Sequence, residues 1–110
     1  MSDVATDRPL KSLTVQMTER QFRTSQGGMH ITTVIGEETP GKKSCAVLFA
    51  EHSDSFQEAL GEYAETQGIA IEDALPNVTF NGYWKKRDWT GNDGNQRTTW
   101  EFHVRGFKIN

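Results

Sequence analysis

Residues 82–102 read GYWKKRDWTGNDGNQRTTWEF. The stretch holds all three tryptophans of the chain, a tyrosine, and the consecutive cations Lys85, Lys86 and Arg87, set against a Gly/Asn/Asp-rich turn. In an extended strand alternate side chains share a face, so Tyr83, Lys85, Arg87 and Trp89 project to one side. A face that needs only solubility has no use for Trp89. Flat rings stack on bases and cations neutralise phosphates, so this combination suits a single-stranded nucleic acid. The bland reading is that Trp89 folds back over its own hairpin.

The elements that must position these residues are legible as changes of period. SLTVQM (12–17) alternates, with Leu13, Val15 and Met17 on one face. RTSQGG (23–28) is a turn, and the β-branched MHITTVIG (29–36) pairs back across it. EETPGKK (37–43) is a polar loop with a Pro-Gly turn. SCAVLFA (44–50) is a third strand. Phe56, Ala59, Leu60, Tyr63 and Ala64 then form one helical stripe, predicting a helix over about 54–67. Ser53 is placed to cap that helix and Gly68 to end it. IAIEDALPN (69–77) reads as a short helical turn or a connector.

VTFNGYW (78–84) and TTWEFHV (98–104) alternate again, within strands expected over 78–87 and 97–105. Trp84 shares a face with Val78 and Phe80, and Trp100 with Phe102 and Val104, so both are expected in the core. His103 falls on the polar face and is expected in solvent. The order is strand-strand-strand-helix-strand-strand. That predicts an all-β domain, a five-stranded OB-fold barrel with one α-helix between strands 3 and 4. A frayed tail over residues 1–10 precedes the domain, which spans 11–110.

Charge is segregated along the chain. The net charge is −3, yet residues 51–75 carry seven carboxylates and no Lys or Arg. The remainder has 12 cations against 8 carboxylates, a local balance of +4. Distribution matters more than the sum when the partner is a polyanion. The acidic residues lie mostly off the apolar stripe of the helix, as a solvated outer face does. No apolar run is long enough for a helical membrane span. The N-terminus has no hydrophobic segment, and Cys45 is the only cysteine, which together fit a cytoplasmic location.

Residues 82–101 resemble the fourth-to-fifth strand hairpin of bacterial single-stranded DNA-binding proteins of the OB-fold type. Gly82, Lys85, Arg87, Trp89, Gly94, Arg97, Thr99 and Glu101 fall at the matching positions without a gap. AVLF followed by a helix ending in EY resembles the family's third strand and helix, with Phe49 at the position of a base-stacking phenylalanine. RTSQGG resembles the first hairpin turn. The resemblance implies binding of single-stranded DNA with little sequence preference, protecting it during replication or recombination. It also implies a homo-oligomer, tetramer or dimer, and no cofactor. The candidate nucleic-acid contacts are Trp89, Lys85, Arg87, Tyr83, Arg97, Phe49, Lys86, Lys43 and Arg23.

The departures from the family are specific. The aromatics it carries before and at the start of the third strand are replaced by EETPGKKS, with Lys42 and Lys43 in their place. Ala50 stands where a small or amide residue is usual, and residues 69–76 resemble an insertion. The family's acidic C-terminal tail is not expected after RGFKIN, which suits a phage, plasmid or other mobile-element variant.

Two other classes compete. An enzyme is disfavoured because His30, His52 and His103 lie on separate elements, and neither metal spacing nor a phosphate loop or nucleophile elbow is present. A protein-interaction module would use the acidic helix. OB-folds also bind oligosaccharides, but cations beside Trp89 favour a phosphate backbone.

Overall fold

A computed structural model describes residues 10–110 of the chain. The expected tail at 1–10 lies outside the described residues apart from Leu10, which is exposed. Five strands and one α-helix follow: β1 (Lys11–Thr24), β2 (His30–Thr39), β3 (Lys42–Phe49), α1 (Glu51–Gln67), β4 (Asn77–Thr90) and β5 (Gln96–Ile109). A single 3-10 turn, Ile71–Asp73, occupies the segment between α1 and β4.

The strands pair in the order β1-β2-β3-β5-β4, and β4 returns to β1. The five-stranded sheet thus closes on itself in a barrel-like form. Every pairing is antiparallel except that of β3 with β5, which is parallel and short, joining Ala46 to Phe102 and Val47 to His103.

The alternating apolar residues fill the interior. Leu13, Val15, Met17, Val34, Leu48, Val78, Phe80, Phe102 and Val104 are buried together. The apolar stripe of α1 covers one end of this core. Phe56 meets Phe80 at 5.6 Å and Phe107, edge on, at 5.0 Å between ring centroids. Such pairs add about 0.5–1.5 kcal/mol each beyond the area they bury. The five carboxylates of α1 remain exposed. The β1–β2 turn lies at this same end, with Gly28 at φ 89. The β2–β3 and β4–β5 hairpins lie at the other end, because the antiparallel strands run there from the helix end. Charge segregation along the chain becomes separation in space.

Three expectations about the framework need correction. First, β1 and β5 are longer than the alternation predicts. Thr18 is an extra residue between the paired Met17 and Glu19, and Arg105 is an extra residue opposite Asn81 and Gly82. A bulge reverses which residues face inward, so the alternation stops although the strand continues. Second, Ser53 does not cap α1. The helix begins at Glu51 after Ala50, which has φ 52 and makes no side-chain cap bond. Ser53 points inward, and its hydroxyl meets that of Thr32 at 2.6 Å, both side chains fully buried. Gln57 Nε2 donates to the same Thr32 oxygen at 3.1 Å. A buried hydroxyl needs a partner more than an exposed helix end needs a cap. Third, Trp100 is not in the core: it is 56 % exposed.

Gly82 marks the point where β4 leaves β1. It is the last residue of β4 paired with β1, opposite Lys11, and it sits beside the Arg105 bulge. A Cβ at Gly82 would lie 2.0 Å from the His103 carbonyl oxygen. No side chain fits without moving backbone. Gly82→Ala should therefore cost about 3 kcal/mol or more, at the upper end of overpacking. Urea denaturation checks this, and a Gly82→Ala midpoint equal to wild type would show that the strands can separate here at no cost.

Candidate nucleic-acid interface

Past Trp84 and Phe102, among the described residues, β4 and β5 pair only with each other. Pairing of β4 with β1 has ended at Gly82, and pairing of β5 with β3 does not begin until Phe102. Lys85–Thr90 and Gln96–Glu101 form a two-stranded arm that leaves the core behind. Its tip is tied by Gly91 N–H donating to the Asn95 carbonyl at 2.9 Å and Gly94 N–H to the Gly91 carbonyl at 2.9 Å. Trp89 lies on this arm, 41 % exposed. It is in water because no core lies beneath it, and the same holds for Trp100.

One face of the arm is continuous with the outer face of the sheet. Residues paired directly across antiparallel strands share a face. Tyr83 pairs with His103, Lys85 with Glu101, Arg87 with Thr99 and Trp89 with Arg97. On the sheet, His103 stands beside Val47 of β3, and Phe49 next to Val47 on that face pairs across to Ile31, which pairs to Arg23. The rings form a row: Phe49 to His103 is 5.2 Å and His103 to Tyr83 is 5.7 Å between centroids. His103 is not a solvated histidine; its side chain is 15 % exposed and lies between two rings. From Tyr83 the path turns down the arm, reaching Trp89 six residues or about 20 Å further on.

The cations on this face are partly compensated. Arg87 Nη1 meets Glu101 Oε2 at 3.4 Å, and the other oxygen of Glu101 faces His103 Nε2 at 3.5 Å. Arg97 lies 5.8 Å from the Trp89 ring centre and donates to Asp93 Oδ2 at 2.8 Å. The Asn95 backbone N–H holds the Asp93 carboxyl below its ordinary value, and the Asn95 and Arg97 side chains act in the same direction. Among the described residues, Lys85, Lys43 and Arg23 are exposed and make no ion pair. Burial pushes the Cys45 thiol up, the Glu101 carboxylate adds to this, and Arg87 opposes it.

The opposite face of the arm carries Lys86, which pairs across to Trp100. Lys86 is thus separated from the other candidates. Nearer the core Trp84 pairs with Phe102, their rings 5.1 Å apart and edge on, and Trp84 packs against the buried cluster. The structure therefore gathers Arg23, Phe49, Tyr83, Lys85, Arg87, Trp89 and Arg97 on one face, with Lys43 on the same side at the start of β3. The sequence reading missed Trp100 as an exposed ring. The only signal was that its partner across the hairpin, Lys86, is a cation unsuited to a core.

Among the described residues no group of three His, Cys, Asp or Glu side chains is close enough to hold a metal ion, and no helix is long and apolar enough to cross a membrane. Comparison of the chain with models of protein families and with curated proteins finds no match.

The tryptophans should separate on stability alone. Trp84→Ala removes a ring packed on Phe102 and should cost about 3 kcal/mol, the lower end of the range for large aromatic truncations. Trp89→Ala removes a ring with no core beneath it and should leave the melting temperature close to wild type. Thermal melts followed by far-UV circular dichroism check both. A large loss of stability in Trp89→Ala would mean that the tip of the arm packs as part of the core.

Proposed function

We propose that this protein binds single-stranded DNA with little sequence preference, and that its closed five-stranded sheet is an OB-fold. The observation that carries the functional reading is the row Phe49–His103–Tyr83 on the outer sheet face, running into Lys85, Arg87 and Trp89 on an arm freed from the core. Every base has a π-face, so stacking is sequence-tolerant, and each stacked base is worth about 1–3 kcal/mol. Lys85 and Arg87 lie between the rings of Tyr83 and Trp89 at strand spacing, where they can meet the phosphates that link stacked bases. The order of elements, with α1 between β3 and β4 covering one end, supports the OB-fold reading. The resemblance of residues 82–101 to the single-stranded DNA-binding family points the same way. So does the position of the acidic α1 at the end remote from the arm, where it does not repel a strand lying on it.

In this reading the protein protects exposed single strands during replication or recombination, in the cytoplasm, as a homo-oligomer. Its role differs from that of an enzyme: the outer face is an open surface, and the groups on it bind rather than react. A protein-interaction module is the second reading, favoured by the exposed acidic face of α1 and its lack of any Lys or Arg.

A titration with labelled oligo-dT at several salt concentrations tests the proposal. Log K should fall with log salt by about 0.7 for each phosphate neutralised. Lys85→Ala or Arg87→Ala should each make that slope shallower by less than one such unit, about 0.7. Trp89→Ala should bind about ten-fold or more weakly and lose part of the tryptophan quench seen on saturation. Affinity independent of salt, or unaltered in Trp89→Ala, would overturn the reading.

A further inference from the structure

The parallel pairing of β3 with β5 joins only two residue pairs. Upstream of Ala46 and Phe102 the two strands part, β3 toward the β2–β3 hairpin and β5 toward the arm. The fork between them is a cleft of about 590 Å³. Trp84 and Trp100 line it from the inner face of the arm, and Lys42, Lys43 and Cys45 from β3. Trp100 is the most exposed tryptophan, at 56 %.

The charge of the cleft is positive. Glu38, the extra residue in β2, holds Lys42 at 3.4 Å. Among the described residues, Lys43 in the cleft wall and Lys86 beside Trp100 make no ion pair. An exposed indole on the other side of the same arm thus has the ammonium group of Lys86 beside it, and that of Lys43 reaches the fork from the side of the Trp89 face. Thr99 also lines the cleft although it belongs to the Trp89 face. The β5 edge of the arm, which no described strand covers over 96–101, is therefore the short way round from one face to the other.

We propose that the fork between the two hairpins is a second stacking site for the same strand, with Trp100 taking a base and Lys43 and Lys86 the neighbouring phosphates, so that single-stranded DNA passes round the β5 edge from the Trp89 face into the fork. This rests on the single-strand reading above. It differs from that reading in that it adds a second face, and it makes affinity depend on strand length. A short strand is satisfied on one face, while a long one uses both.

The test uses fluorescently labelled oligo-dT of about four and about sixteen nucleotides, the span of site sizes for such domains. Trp100→Ala should melt like wild type, since its ring has no core beneath it. It should bind the short oligonucleotide as wild type does, and the long one about five-fold or more weakly. Trp100→Phe, which keeps a stacking ring, should restore most of the long-strand affinity. If Trp100→Ala binds both lengths like wild type while Trp89→Ala is weakened, the second site is wrong and the first survives. If wild type binds neither length, the single-strand reading itself falls. If Trp100→Ala changes the sedimentation of the free protein but not its affinity, the fork is filled by a second copy of the chain and the proposal is overturned.

Discussion

Everything distinctive about this protein follows from how closely β4 and β5 approach at Gly82. The His103 carbonyl oxygen occupies the space a side chain would need there. The Arg105 bulge is the other half of the same junction. The bulge changes the facing of β5 alone: Phe107 and Ile109 pack on the core on one side of it, and Phe102 and Val104 on the other. β4 alternates without a break from Phe80 to Trp89, so its outward set, Tyr83, Lys85, Arg87 and Trp89, is paired with the outward set of β5 only because of that extra residue.

The closed sheet needs only a brief contact between β3 and β5, and it spends little of either strand on it. The remainder of each strand extends past the core as part of a hairpin. Such hairpins cannot be held by apolar burial, and so they are free to carry cations and rings that a core would reject. The closed sheet and α1 supply stability through Phe80, Phe102 and Phe56, and the arm carries exposed rings and cations. Neither role compromises the other, because Trp84 on Phe102 is the last ring on the stability side and Lys85 the first group on the other.

Electrostatics reinforces this division. The carboxylates of α1 lie at one end of the closed sheet and the Lys and Arg residues of the two hairpins at the other, each hairpin carrying carboxylates of its own. On the arm itself Glu101 and Asp93 partly neutralise Arg87 and Arg97. Exposed pairs of this kind are weak, commonly below about 1 kcal/mol, so a phosphate can displace a carboxylate at little cost.

Much of this was legible in the sequence because periodicity reports local facing. The buried sets of β1, β3 and β4, the apolar stripe of α1, the left-handed Gly68 at its end and the outward position of Trp89 all follow from residue spacing. Three features did not. The bulges at Thr18 and Arg105 end an alternation without ending a strand. Ser53 has the right residue type for a cap, but a buried partner, Thr32, lies 21 positions earlier in the chain. Trp100 alternates correctly with Phe102 and Val104 yet lies beyond the last residue that has a core to enter. Sequence determines which side of a strand a residue faces. Only the closed sheet decides where the core stops, because that depends on which strands meet and for how long, and those pairings join residues far apart in the chain.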